Sequence, residues 1–235
     1  MTKKHQDHES TEPRRTFLRV VTSTFGVVLV GCASSNGAEG AKQPHADSEE
    51  AEVTPGEDLM QEHGVLERIL LVYDEAARRI ERRENFDVTV VASAAGIVRR
   101  FVEDYHEQLE EKFVFPRLEA AKRELELVKV LRRQHQRGRE LTEAIAKSAK
   151  TASPELAGAL RSFVRMYRPH AAREDTVLFP AFRAVVGRAA YRELGEQFED
   201  QEHARFGEHG FENNVTEVAR LETTLGIGDL ASFTP

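Results

Sequence analysis

Two segments of this chain repeat one another, and the repeat restricts both fold and chemistry. His106-Glu107-Gln108-Leu109-Glu110-Glu111-Lys112-Phe113-Val114-Phe115-Pro116 and His170-Ala171-Ala172-Arg173-Glu174-Asp175-Thr176-Val177-Leu178-Phe179-Pro180 share one pattern: His-x-x-x-Glu, a second acid, three residues, then Phe-Pro. Residues four apart share one face of a helix, so each segment can aim an imidazole and a carboxylate at the same point. Such pairs need a partner surface built from further helices.

The remaining pattern supplies it. Leu59, His63, Leu66, Ile69, Leu70 and Tyr73 recur at spacings of three and four after Thr54-Pro55. A second helix is predicted from Asp87 through Val91, Ile97, Val98, Phe101 and Tyr105 to Pro116, and a third from about Lys122 to Lys150 with Leu125, Val128, Leu131, His135 and Ile145. The fourth starts at Ser153-Pro154-Glu155, a cap followed by a first-turn proline, and runs through Leu160, Phe163, Val164 and Tyr167 to Pro180. A fifth, more charged helical stretch spans about 189–225, and no strand-like alternation of useful length is present. The expected fold is all-α: an antiparallel up-and-down four-helix bundle over 55–188, with a C-terminal helical extension over 189–235.

In such a bundle the second and fourth helices run the same way, so their two His/Glu pairs can meet at one level. His63 and His135 come from the first and third helices. Singly, a histidine on an apolar stripe is more often a satisfied core residue than a ligand. Four inward histidines with two paired carboxylates are another matter, because burying so many ionisable groups uncompensated is costly. A pair of metal ions removes that cost, and mixed nitrogen and oxygen donors without thiolate suit iron or manganese better than a closed structural zinc.

The composition is compatible with this and excludes other classes. With 235 residues, 40% hydrophobic and 31% charged, the chain suits a soluble globular protein, and its net charge of -7 argues against general nucleic-acid binding. A single cysteine excludes a disulfide framework and a zinc finger. Nucleophile elbows, phosphate-cradling glycine loops and dinucleotide fingerprints are lacking.

The first 31 residues read as an export signal. Arg14-Arg15-Thr16-Phe17-Leu18-Arg19 resembles a twin-arginine motif, and the apolar run Val20 to Val30 suits a signal-peptide core and is too short to span a bilayer. Leu29-Val30-Gly31-Cys32 resembles a lipobox, which would make Cys32 the lipidated first residue of the mature chain. Residues 32–54, rich in Ala, Ser, Gly, Glu and Pro, read as a disordered tether that includes His45. The expected location is the periplasm or cell surface, anchored to a membrane by lipid.

Glu62-His63-Gly64-Val65-Leu66, the two His-x-x-x-Glu segments and Gln134-His135-Gln136 together resemble the hemerythrin-like, or HHE cation-binding, domain. The resemblance implies a non-haem di-iron centre, two iron ions ahead of manganese or zinc, with His63, His106, Glu110, His135, His170 and Glu174 as ligands and the glutamates as bridges. Oxygen-carrying members have a further histidine at the position of Arg139, and place the fourth-helix carboxylate at the position of Asp175. Spacing favours Glu174, because a +5 residue rotates off the face of His170 unless the helix is distorted; Asp175 is the rival. Glu111 and Asp175 otherwise read as outer or surface acids, His203 and His209 as residues of a solvated face, and Tyr105 and Tyr167 as core or as hydrogen-bond donors to the site.

The resemblance implies a centre that binds dioxygen, nitric oxide or a peroxide, or that holds iron. Two other readings compete: a peroxidase-type di-iron enzyme, and a lipid-anchored helical interaction module independent of metal. The residues leave oligomeric state open, and with it whether the chain is an enzyme.

Overall fold

The computed structural model describes residues 53–235. The twin-arginine pair, Cys32 and the tether to residue 52 lie outside the described residues. Among the described residues the secondary structure is helical, without a strand.

Helix α1 spans Pro55–Arg82, and its start is a reciprocal cap. The Thr54 side chain accepts from the Glu57 backbone N–H while Glu57 accepts from the Thr54 N–H, and Pro55 takes the first turn, where no donor is needed. Helix α2 covers 89–120, α3 is Leu125–Ser148, and α4 covers 154–186. Two further helices follow, α5 at Arg188–Phe206 and α6 at Gly210–Leu225. The single charged stretch expected over 189–225 is therefore two helices. They part at Gly207, whose φ of 78° is cheap only for glycine.

Ion pairs give the pairwise directions. Glu67, Asp74 and Glu81 climb α1 while their partners Arg168 and Arg161 descend α4, so these two helices are antiparallel. Between α2 and α3, Glu119 meets Arg132 and Glu107 meets Arg139, again in opposite order. The core between them holds Leu59, Leu66, Ile69, Leu70 and Tyr73 of α1, Phe101 of α2, Leu131 and Ile145 of α3, and Leu160 and Phe163 of α4, all buried. This is the apolar stripe read from the sequence, except that Leu125 is exposed at the first turn of α3.

Helices α2 and α4 do not stop at Pro116 and Pro180 as the sequence suggests; they continue to Ala120 and Val186. Each passes the proline through a wider π turn, Glu110–Val114 in α2 and Glu174–Leu178 in α4. There the N–H of Phe115 reaches back to the carbonyl of Glu110, and that of Phe179 to Glu174. A proline lacks the N–H and crowds the carbonyl four residues earlier, and a widened turn absorbs that conflict without ending the helix. A longer π stretch, Val98–His106, precedes the first histidine of the repeat. No described helix is long and apolar enough to cross a membrane.

Candidate metal centre

The two π turns sit where the chemistry was expected. Glu110 and Glu174 each begin one, and both side chains are fully buried. His63, His106, His135 and His170 are buried as well. Their donor atoms form two groups: His63 and His106 with Glu110 and Glu174, and His135 and His170 with the same two glutamates, the atoms of each group lying within 4.8 Å of one another. The six residues predicted as ligands are thus brought together, with the glutamates common to both groups.

All four imidazoles turn Nε2 inward. His63 Nε2 lies 3.1 Å from His106 Nε2 and 3.4 Å from a Glu174 oxygen. His170 Nε2 is 3.0 Å from the same carboxylate, and His135 Nε2 is 3.3 Å from Glu110 and 3.9 Å from Glu174. His106 Nε2 is 3.8 Å from Glu110.

The outward Nδ1 atoms are held from neighbouring helices in a closed ring. A carboxylate can only accept, so in three cases the imidazole N–H is the donor. His63 on α1 donates to Asp175 on α4 (2.7 Å), His106 on α2 to Glu62 on α1 (2.7 Å), and His135 on α3 to Glu111 on α2 (2.9 Å). His170 on α4 completes the ring through the amide oxygen of Gln134 on α3 (3.0 Å). Every outer partner is adjacent in sequence to an inner residue. Such bonds fix the ring orientation and leave Nε2 as the free donor atom.

Asp175 therefore lies outside the inner group. The π turn swings it to the far side of His63 while Glu174 faces inward. Arg139 does not replace the histidine of oxygen carriers as a donor; it pairs with Glu107 (2.8 Å) and Glu111 (2.6 Å), behind His135. Tyr167 donates to Glu107 at 2.7 Å, whereas Tyr105 packs against Phe206 with its hydroxyl near the Phe198 carbonyl. His203 pairs loosely with Glu199 and His209 is exposed at the start of α6; neither joins the inner groups.

The protonation pattern follows from packing six ionisable donor groups into one buried space. Burial opposes charge on His63, but Asp175 and then Glu174 outweigh it and raise its pKa to about 9. Burial pushes His135 down to about 4, and burial with the neighbouring His63 charge holds His106 well below its ordinary range. Burial also drives Glu110 well up, helped by the Glu174 charge, whereas Glu174 is held down despite its burial by His170 and His63. Two carboxylates so close do not both ionise without a cation between them.

The residues fit a metal pair. Both oxygens of Glu110, both of Glu174 and Nε2 of His135 are buried without a well-formed hydrogen bond. Buried polar atoms normally find partners, and here five converge on one space with the nitrogen and oxygen chemistry that non-haem iron accepts.

Glu62 and Gln134 escaped the sequence reading as functional residues. Each precedes a site histidine, about 100° round the helix, and reads as a polar surface position until the neighbouring helix is in place.

Known proteins agree with the geometry. The sequence profile described as the hemerythrin HHE cation binding domain matches residues 54–182. The chain is 46% identical over 231 residues to an uncharacterized protein of Mycobacterium tuberculosis and equally to one of Mycobacterium bovis, covering 94% of this chain and 91% of each relative. No solved structure gives a significant match.

Proposed function

The chain belongs to the hemerythrin HHE cation-binding family, and we propose that it is a non-haem di-iron protein that binds dioxygen, nitric oxide or a peroxide, or holds iron. The observation that supports this most is the sharing of Glu110 and Glu174 between two groups of inward donors. In this reading α1 to α4 form an antiparallel four-helix bundle, each helix contributing one histidine, with α5 and α6 as an added C-terminal layer. His63 and His106 would hold one ion and His135 and His170 the other, with Glu110 and Glu174 available to both.

Bound iron would supply reversible one-electron chemistry and open positions for a small molecule. The chain's own residues do the rest. The Nδ1 bonds to Asp175, Glu62, Glu111 and Gln134 set the imidazole planes. Phe179 stacks on His63 and Phe115 on His135, covering both imidazoles with apolar rings. Glu107, whose pKa is pushed well up by burial, accepts from the Tyr167 hydroxyl and faces the Arg139 guanidinium.

A second reading, peroxide reduction, is favoured by the placement of Arg139. The cation stands behind His135, at the position where oxygen carriers have a fifth histidine, so each donor group would offer an iron ion two histidines. Export by the twin-arginine route and a lipid anchor at Cys32 are part of the proposal, since that route carries folded proteins and a buried site is best loaded before export.

Absorption spectra of the iron-loaded protein, first under nitrogen and then with air, nitric oxide or peroxide, test the reading. A spectral change that reverses when the gas is removed supports carriage or sensing, and rapid irreversible oxidation with peroxide consumption supports the enzymatic reading. Spectra that respond to none of the three, or to free iron and protein alike, overturn it.

A further inference from the structure

The ring of outer hydrogen bonds has one member unlike the rest. His63, His106 and His135 are tied to carboxylates, and His170 is tied to the neutral amide of Gln134. A bond between a neutral amide and an imidazole is weaker than a charge-assisted one, so Gln134 is the partner most easily swung aside. It also borders open space. A cavity of about 390 Å³ between α3 and α4 is lined by Gln134 and His170 together with Leu131, Val130, Glu126 and Arg173.

The exposures give this cavity a direction. His170 and Leu131 are buried and form its inner end, Gln134 is half-buried, and Val130, Glu126 and Arg173 are exposed at the rim. Its charge is also selective. Glu126 is neutralised by Lys129 at 2.6 Å, which leaves Arg173 as the uncompensated rim charge. A small molecule approaching His63, His106 or His135 from outside meets a carboxylate; one approaching His170 meets a cation, an apolar wall and then an amide.

We propose that this cavity is the port by which a neutral or singly anionic molecule of two or three heavy atoms reaches the metal centre, with the Gln134 side chain as its inner gate. The inference rests on the metal centre proposed above. Gln134 acts through His170, holding it when the port is closed and releasing Nδ1 when it swings, and so serves as a positioning residue.

The test uses the full chain loaded with iron and azide as the probe, followed by stopped-flow absorption, with iron content measured on the same samples. Val130→Trp narrows the rim without touching the Gln134–His170 bond. A port predicts that this variant, at wild-type iron content, slows azide association at least tenfold and dissociation by the same factor, leaving the equilibrium constant within about twofold because a channel alters rates and not end states. Unchanged rates in an iron-replete variant overturn the port, as does a changed equilibrium constant with an unchanged dissociation rate. A wild-type chain that takes up no iron instead overturns the metal reading itself and the port with it.

Discussion

Asp175 and Glu174 grip opposite nitrogens of one imidazole. Asp175 lies 2.7 Å from Nδ1 of His63, and its neighbour Glu174 lies 3.4 Å from Nε2. Consecutive residues on a helix point about 100° apart, and the pair reaches opposite sides of the same ring from the start of the π turn in α4. The two acids thereby acquire separate roles, one facing the metal space and one orienting its ligand.

That division predicts different losses. Glu174→Gln removes a donor common to both groups and should abolish loading at both positions. Asp175→Asn keeps the donor set and should weaken iron binding by roughly 10- to 100-fold, the usual effect of losing an outer partner. Competition titration against a chelator of known affinity separates the two outcomes; equal losses would contradict the assignment.

A pH dependence follows from His63. Its pKa is raised from 6.5 to about 9 in the metal-free fold, chiefly by Asp175 acting against burial. A raised base stabilises the folded state fully below its unfolded pKa, and that stabilisation is lost as pH rises through the folded pKa. The metal-free protein should therefore lose thermal stability between pH 6.5 and 9. His106 and His135 shift the other way, so their effects fall below pH 6.5, whereas the raised Glu110 carboxyl acts with the same sign as His63. Asp175→Asn should flatten the slope, and the loaded protein should lack it. Melting curves across that range provide the check.

Loading should release protons. At pH 7 His63, with its pKa raised to about 9, is protonated in the metal-free fold and must be deprotonated to act as a donor, so uptake of iron should expel about one proton per chain from this residue, and burial of Glu110 acts in the same direction. Calorimetry in two buffers of different ionisation enthalpy measures the number directly; a value near zero would contradict the protonation pattern.

Arg139 is the partner of two acids behind His135. Arg139→Met leaves Glu107, 1% exposed, without its cation. Because Arg139 is itself about one-third exposed, the expected loss is modest, about 1–3 kcal/mol in urea unfolding, the range for a buried polar group deprived of its partner.

Gly138 is small for a reason on the same face. A Cβ there would overlap the Tyr167 hydroxyl that donates to Glu107. Gly138→Ala should cost about 1–3 kcal/mol by overpacking, although alanine has the better helix propensity. A neutral or stabilising effect would show that Tyr167 moves freely.

The inner site was legible because a helix repeats every 3.6 residues: His106 with Glu110 and His170 with Glu174 fall on one face whatever surrounds them. The helix ends at Pro116 and Pro180 were misread because proline normally stops a helix, and only packing reveals a π turn that lets it continue. Glu62 and Gln134 were invisible for a different cause. Their function depends on which helix lies alongside, and nothing in local spacing records that. The break at Gly207 left a signal in the glycine itself, but amid charged residues it did not stand out from a continuous polar helix.

The number of metal ions held is the decisive quantity. The full chain, loaded with ferrous iron under nitrogen and desalted, should retain about two iron ions per chain by elemental analysis, one for each donor group. Retention of one ion or fewer, or the same amount in His106→Ala and His170→Ala as in the unaltered chain, would contradict it.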